Sequence, residues 1–440
     1  MFKWLSRVSH VPRIAVGKVI EKVLSRTALS AAALLPLAHL TSLGVMEASG
    51  FVLMIASAAL FAMECWSNPS AALNRVRSGA ALPIVSYAVL TLLSIAVMLD
   101  QAGDQIAALR ELKWALYFFA FLYFFDRCWS DTWERYVFVL SGAVALMGVL
   151  ALCQFVYGWE WPRAESVLER WGAYFRVTGF FNTPQSFAGN LGMATLFLLG
   201  YTLSQFADLS RITGRAQIHL LLSVGMGALG VVLTLTRSAW LGGAMTVVFA
   251  FSRVKKGWGA LILLILLCIT ATGLYSESIF NARLSSDVSV NGQSIEIRRE
   301  LWNANWRMFQ DFPYLGIGPS QNVKQLEAYY ETAEVEYRVI DRAHSNTLEH
   351  LAGQGIFVAG LYWAFSAYFL WAAYSLSVRD GVGSFARGIA AGSLFAQIYF
   401  HILGLVDSNF FDQEVKNVIV WIWALTAAVW SRNKKAAMSD

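Results

Sequence analysis

Arg342-Ala343-His344-Ser345-Asn346 closes a long polar excursion, and the residues that follow (Leu348, Leu351, Ala352, Gly353, Gly355 and Gly360) lead into an apolar run. The excursion spans roughly Ser276 to Asn346. Elsewhere apolar runs of about 17 to 22 residues recur, each long enough to cross a hydrocarbon core of roughly 30 Å. The stretch therefore marks where a large extramembrane loop returns to the membrane. A histidine at such a junction can meet both a lipid-borne molecule and one in water or at headgroup level.

Working outward, the 440 residues are 57% hydrophobic and 14% charged, far from the quarter or so of charged residues usual in soluble domains. The reading is an all-α integral membrane protein with no separate soluble domain and no nucleic-acid partner. Cys65, Cys128, Cys153 and Cys268 lie in or beside apolar runs without CxxC spacing, so they read as buried thiols rather than disulfide or zinc ligands. The basic lead (Lys3, Arg7, Arg13, Lys18, Lys22, Arg26) reads as an amphipathic or disordered cytoplasmic segment. It is too long for a signal peptide, and no cleavage-like site follows the first apolar run.

About twelve spans are predicted, over residues 28–45, 49–65, 81–99, 112–125, 136–157, 186–206, 217–235, 239–252, 258–275, 353–376, 386–406 and 414–430. Residues 1–27 form the lead, 28–275 hold spans one to nine with a loop at 158–185, 276–352 form the large loop, 353–430 hold spans ten to twelve, and 431–440 form the tail. Arg75, Arg77, Arg127, Arg135, Arg211, Arg215, Arg253, Lys255, Lys256, Arg379, Arg387, Arg432, Lys434 and Lys435 fall on one side with the basic lead. By the positive-inside rule both termini are cytoplasmic. The opposite, outer side receives Glu47, Asp100, Asp104, the 158–185 loop, Arg237, the large loop and Asp407 to Asp412.

Arg237, in Leu233-Thr234-Leu235-Thr236-Arg237-Ser238-Ala239-Trp240, runs against that rule. An arginine at such depth needs an anion or water, so it reads either as an anion ligand or as a residue snorkelling to the headgroups. In the 158–185 loop, Arg163 precedes Arg176-Val177-Thr178-Gly179-Phe180-Phe181-Asn182-Thr183-Pro184-Gln185. A helix starting near Gln185, with Arg176 close by, would favour a phosphate. Equally, Gly179, Asn182 and Pro184 could simply make a turn, with Arg176 paired to Glu165 or Glu169.

In the large loop, Ile295, Trp302, Trp306 and Phe309 recur at helical spacing near Arg298, which predicts an amphipathic helix on or over the membrane. Phe312-Pro313-Tyr314-Leu315-Gly316-Ile317-Gly318-Pro319 reads as the turn that ends it. His344 and His350 lie six apart, not at the i, i+4 zinc spacing. With no acidic partner at a matching offset, no metal is expected, and an imidazole titrating near neutrality suits general-base work on a hydroxyl. Asp407 could orient His344 or an arginine, or cap the helix that follows.

Taken together, Arg176-Val-Thr-Gly-Phe-Phe-Asn-Thr-Pro-Gln, Thr236-Arg237-Ser-Ala-Trp, Phe312-Pro-Tyr-Leu-Gly-Ile-Gly and Ala343-His344-Ser-Asn-Thr-Leu resemble the O-antigen ligase and polymerase superfamily of bacterial envelope proteins, the ligases most of all. The resemblance covers most of the chain from about residue 150 onward. It implies a glycosyltransferase of the C type in the bacterial inner membrane, with twelve helices and a large periplasmic loop. Its donor would be an undecaprenyl-pyrophosphate-linked glycan and its acceptor a sugar hydroxyl of the lipid A core, with membrane lipids around it, no metal and no nucleotide cofactor. The family's histidine maps to His344 and its membrane-edge arginines to Arg237 and Arg176. Where relatives carry His-Asn directly, Ser345 separates His344 from Asn346 here.

Under that resemblance Arg176 and Arg237 stabilise the leaving pyrophosphate, and neutral His344 takes the proton of the acceptor hydroxyl with inversion at the anomeric carbon. Arg163, Arg298, Arg342, Asn182, Gln185, Asn346 and Asp407 complete the expected substrate-binding set. The nearest rival is an O-antigen polymerase that joins lipid-linked repeat units. A rival of another class is an anion or solute transporter, which would usually carry ionisable residues in mid-span and broken helices in related halves.

Overall fold

The computed structural model describes residues 13–41, 43–99, 102–127, 132–160, 168, 170–171, 174–206, 214–252, 296–330 and 341–436. The predicted span 258–275, Arg163, Glu165, Glu169, Cys128, Cys268 and the polar stretch 281–293 lie outside the described residues. The described chain is almost wholly helical: α1 (Arg13–Thr41), α2 (Leu43–Ser67), α3 (Pro69–Val76), α4 (Ala81–Met98), α5 (Ala102–Arg110), α6 (Lys113–Arg127) and α7 (Thr132–Tyr157). A two-stranded hairpin, β1 (Arg170–Trp171) and β2 (Tyr174–Phe175), precedes α8 (Pro184–Phe206), α9 (Gly214–Leu233) and α10 (Arg237–Ser252). A helix over 296–311, here α11, follows. The order closes with α12 (Asn322–Tyr329), α13 (Asn346–Val378), α14 (Ser384–Leu403) and α15 (Gln413–Ala436).

Seven of these (α1, α2, α4, α7, α8, α9 and α13) contain segments long and apolar enough to cross a membrane, by length and composition. Their outward faces carry exposed Leu34, Phe51, Leu82, Leu92, Leu146 and Leu222. For a soluble protein that would be an anomaly; against hydrocarbon it is the expected surface. Cys65 and Cys153 are free thiols, only partly buried. Part of the basic lead is helical, since α1 begins at Arg13 and runs on to Thr41.

The interior is aromatic. Trp423 on α15 stacks on Phe369 of α13 with centroids 5.4 Å apart, and it meets Trp114 of α6 edge-on at 6.4 Å. Helices α8 and α14 lie so close that a β-carbon on Gly392 would stand 2.5 Å from the carbonyl oxygen of Phe197, the small-residue contact typical of membrane helices. Tyr399 there donates to the carbonyl of Ala188 at 2.8 Å.

Charge gathers at the two ends of the bundle. At one, Arg75 bridges Glu64 and Asp126 at 2.9 Å each, and Arg432 and Lys435 also approach Asp126. At the other, Lys113 pairs with Glu47 at 2.6 Å, and buried Lys416 pairs with Glu111. This second end carries His344, Asp407 and the starts of α8 and α15.

The large loop is not an appendage. Leu301, Ala304 and Met308 of α11 pack with Leu326 of α12 and Ala352 of α13. The face expected to be apolar is only in part the buried one: Trp302 and Trp306 point outward, 38% and 46% exposed, while Leu301, Ala304, Asn305 and Met308 make the seam.

Helix α13 starts at Asn346, seven residues before the predicted span. Its first turns carry buried polar residues (Asn346, Glu349, His350, Gln354), which hydropathy reads as loop. The helix breaks at Gly355, whose φ of 77° and ψ of 179° are non-helical. Residues 312–318 fill the break. Ile317 and Gly318 donate to the carbonyls of Ala352 and Gly353 at 2.9 and 3.0 Å, and Ile356 donates to the Pro313 carbonyl at 2.8 Å. Ser94 of α4 caps the arrangement through the Leu315 carbonyl at 2.7 Å. The glycines are obligatory here, since a β-carbon on Gly355 would lie 2.2 Å from the Tyr314 oxygen and one on Gly316 would lie 2.3 Å from the Gln354 nitrogen.

Candidate functional site

His344 sits one residue before the N-cap of α13, with a left-handed backbone at φ 47°. That region is sparsely used by non-glycine residues, and such conformations cluster at functional sites. Its side chain is 25% exposed. Nε2 lies 3.2 Å from Oδ2 of Asp341, and Nδ1 lies 3.7 Å from Oδ1 of Asp407. The second distance is an ion-pair separation rather than a hydrogen bond.

Asp341, three residues upstream and outside the offsets weighed for a metal site, is a direct partner of His344 and changes its electrostatics. The bond to Asp341, then the Asp407 carboxylate, push the imidazole up to about 9 against the opposing effect of burial. The proton shared with His344 in turn holds the Asp341 carboxyl below its usual range. The two carboxylates thus favour the charged imidazole at rest, against the neutral base expected from its ordinary titration.

Asp407 accepts from the Ser408 backbone at 2.8 Å and caps no helix. That role falls to Asp412, which accepts from Glu414 N at 2.9 Å at the start of α15. Of the partners and roles open to Asp407, the structure places it beside His344 Nδ1.

Asn346 is 1% exposed, and its amide is fully engaged. Nδ2 donates to Asn409 Oδ1 at 2.6 Å and to Tyr362 Oη at 3.3 Å, while Oδ1 accepts from Phe410 N at 2.9 Å. It belongs to the scaffold beneath His344. Arg342 lies 3.8 Å from Glu349 and over the Phe411 ring at 5.5 Å. Close by, burial would raise the Glu111 carboxyl, but Lys416 and Arg342 hold it below the usual range.

The arginine loops meet each other at the same end. Arg176 Nε donates to the Thr234 carbonyl at 3.2 Å, anchoring the 170s segment on the turn that leads into Arg237. In that turn Leu235 has φ 55°, Trp240 Nε1 donates to the Val232 carbonyl at 3.1 Å, and exposed Arg237 opens α10. Five residues on, a β-carbon on Gly242 would touch Leu403, at the end of α14 four residues before Asp407. Arg237 and the His344–Asp407 pair thus share one end of the bundle.

The start of α8, offered to phosphate by the sequence, is capped from within. Thr183 Oγ1 accepts from Ser186 N at 3.1 Å, and Ser186 Oγ donates to Asp412, whose carboxyl burial pushes up. Asn182 and Gln185 are exposed beside it, and Arg298 lies on α11. Among the described residues no group of three His, Cys, Asp or Glu is arranged to hold a metal ion.

Fold and site define a multi-pass, all-helical membrane protein with a histidine held between carboxylates at one end of its bundle. Residues 221–363 match the family model described as O-antigen ligase, which supports membership of the O-antigen ligase and polymerase superfamily. The matched segment contains Arg237, Arg298, Arg342, His344 and Asn346. No curated protein matches the chain.

Proposed function

We propose that the protein is an inverting, metal-independent glycosyltransferase of the bacterial inner membrane. It joins a glycan carried on undecaprenyl pyrophosphate to a sugar hydroxyl of the lipid A core. The observation that carries this is His344 in a left-handed conformation between Asp341 and Asp407, at the end of the bundle that also bears Arg176 and Arg237. On this reading the threading is twelve spans with both termini cytoplasmic, and residues 158–185 and 276–352 face the periplasm.

The acceptor oxygen forms a bond to the anomeric carbon as the bond from that carbon to the pyrophosphate oxygen breaks. Undecaprenyl pyrophosphate leaves with the electron pair, and the acceptor's proton passes to Nε2 of the neutral imidazole, the form His344 takes once its resting Nε2 proton has been given up to solvent as Asp341 turns away. Arg237 and Arg176 hold the pyrophosphate, where fixed donors act more strongly than water. Arg163, Arg298, Arg342, Asn182 and Gln185 are further candidates for the donor and acceptor phosphates and sugars.

The two carboxylates divide their work. Asp407 is the more enclosed and keeps Nδ1 oriented. Asp341, 51% exposed, covers Nε2 at rest and yields that position to the acceptor hydroxyl. Without the Asp341 bond the imidazole titrates lower, which restores its competence as a base. Asn346 supports the segment from below.

Purified protein reconstituted with carrier-linked glycan and lipid A core, with and without chelator, tests the reading. Transfer should survive the chelator and vanish in His344→Ala while the donor still binds. Normal transfer by His344→Ala would remove the histidine from the chemistry. The polymerase reading is separated in cells: loss of a ligase leaves polymerised glycan on carrier lipid, whereas loss of a polymerase leaves single repeat units on the acceptor.

A further inference from the structure

We propose that Glu349 is a positioning residue that sets His344 and Asp407 relative to each other and, through Asn322 and Asn305, ties the pair to α11. The proposal rests on the reading of His344 as the base for transfer. Glu349 lies in the first turn of α13, and its side chain is fully buried. Oε1 accepts from the backbone N–H of Ala343, next to His344, at 2.6 Å, and from Ser408 Oγ, next to Asp407, at 3.2 Å. Ser408 Oγ in turn accepts from Ser345 N at 3.2 Å. One carboxylate oxygen thus reaches both sides of the catalytic pair, and the same hydroxyl closes the ring on the far side of His344.

The other oxygen looks toward the extramembrane lobe. Oε2 accepts from Asn322 Nδ2 at 2.8 Å, and the same amide nitrogen donates to Asn305 Oδ1 at 2.8 Å. Asn305 is itself held by donation from Nδ2 to the Leu301 carbonyl at 2.8 Å. All three side chains are buried. Direction is fixed by chemistry: a carboxylate only accepts, so Asn322 must present its NH₂, and Asn305 must then present its carbonyl. The chain runs from α11 through α12 to the residue beside His344, and it ends on a charge.

A buried carboxylate is expensive unless its lone pairs are filled and a cation is near. Three hydrogen bonds fill them here, with Arg342 at 3.8 Å. The charged groups about the pair are Asp341, Arg342, Glu349, Asp407 and, beneath them, Glu111 with Lys416. Among these Glu349 alone hydrogen-bonds to both the 341–346 segment and the 404–412 turn. An ion pair that served stability alone would not need to touch the neighbours of both catalytic groups.

Glu349→Gln in the full-length protein, reconstituted in lipid, tests the proposal. Glutamine keeps one acceptor for Ala343 but turns an NH₂ against that of Asn322. We expect kcat to fall about 10- to 100-fold, the scale of a sub-ångström to ångström misplacement of a reacting group, with KM for the carrier-linked donor unchanged. The imidazole signal of His344, followed by NMR in selectively labelled protein, should titrate below its wild-type value. Asn322→Asp added to Glu349→Gln supplies an acceptor for the new NH₂ and should recover both readings in part. Should Glu349→Gln fail to fold, Ser408→Ala removes only the hydroxyl that joins the two sides and should lower kcat and the His344 titration in the same sense.

Wild-type kcat and an unmoved His344 titration in folded Glu349→Gln or Ser408→Ala would overturn the proposal. So would a loss of thermal stability with KM and kcat altered together and no recovery by Asn322→Asp. If the wild-type protein transfers no glycan, the functional reading fails by itself. The His344 titration then still decides whether Glu349 positions the pair.

Discussion

At the scale of single residues the informative result is a protonation state. A bare histidine at the end of a loop would titrate near 6.5, but two carboxylates hold His344 up to about 9. If it must be neutral to act, kcat/KM of the wild type should rise with pH toward an apparent value near 9. Asp341→Asn removes the larger of the two influences, so the rising limb should move toward neutral pH; a limb that stays in place would dissociate Asp341 from the chemistry. Stability should follow the opposite trend. A raised folded-state value means the charged imidazole stabilises the protein fully below about 6.5 and that this contribution is lost as pH passes through about 9. The difference in Tm between wild type and His344→Gln should accordingly be largest in mild acid and close in alkali. His344 itself was visible in the sequence from its place at the loop's end. Asp341 was not, because outside a helix an i−3 carboxylate meets an imidazole only where the backbone between them folds back, and nothing local to the sequence announces that fold.

At the scale of elements, the same lesson recurs in the Phe312–Gly318 motif. Its proline and glycines read as a turn ending α11, and a turn it is, yet its main work is to supply hydrogen bonds to the broken α13. Pairing of that kind is non-local, and hydropathy carries no trace of it. Gly355→Ala would meet both a positive φ and the Tyr314 oxygen at 2.2 Å, with strain of about 1–3 kcal/mol from the backbone alone. A marked fall in Tm in detergent is expected, and an unchanged Tm would mean the break can heal into a continuous helix. The polar start of α13 was missed for a related reason. Asn346, Glu349, His350 and Gln354 are buried because each finds a partner in another part of the fold, whereas an apolar window assumes that polar residues face water.

At the scale of the molecule, seven of the twelve predicted spans coincide with helices long and apolar enough to cross a membrane, since length and hydrophobicity are local properties. The structure gathers Arg75, Asp126 and Arg432 at one end and Glu47, Glu111 and His344 at the other; the side of the membrane that each end faces is an expectation from Lys and Arg. In a cysteine-free background, a thiol introduced at Lys324 should react with a membrane-impermeant maleimide applied from the periplasmic side, and one at Arg379 should not. Both positions are exposed, so accessibility alone would label them equally. Labelling at Arg379 only would invert the proposed topology.

The break in α13 also bears on how the chain is made. A transmembrane helix that enters lipid with open carbonyls incurs several kcal/mol for each one left unmet, and α13 carries such a defect at Gly355. Residues 312–318 precede it in the sequence and so leave the ribosome first. The partner that closes the defect is already synthesised when the defective helix emerges. Order of synthesis thereby spares the broken helix a period in the bilayer with its backbone uncovered, and a circular permutant that reversed the order would face that hazard at every round of insertion.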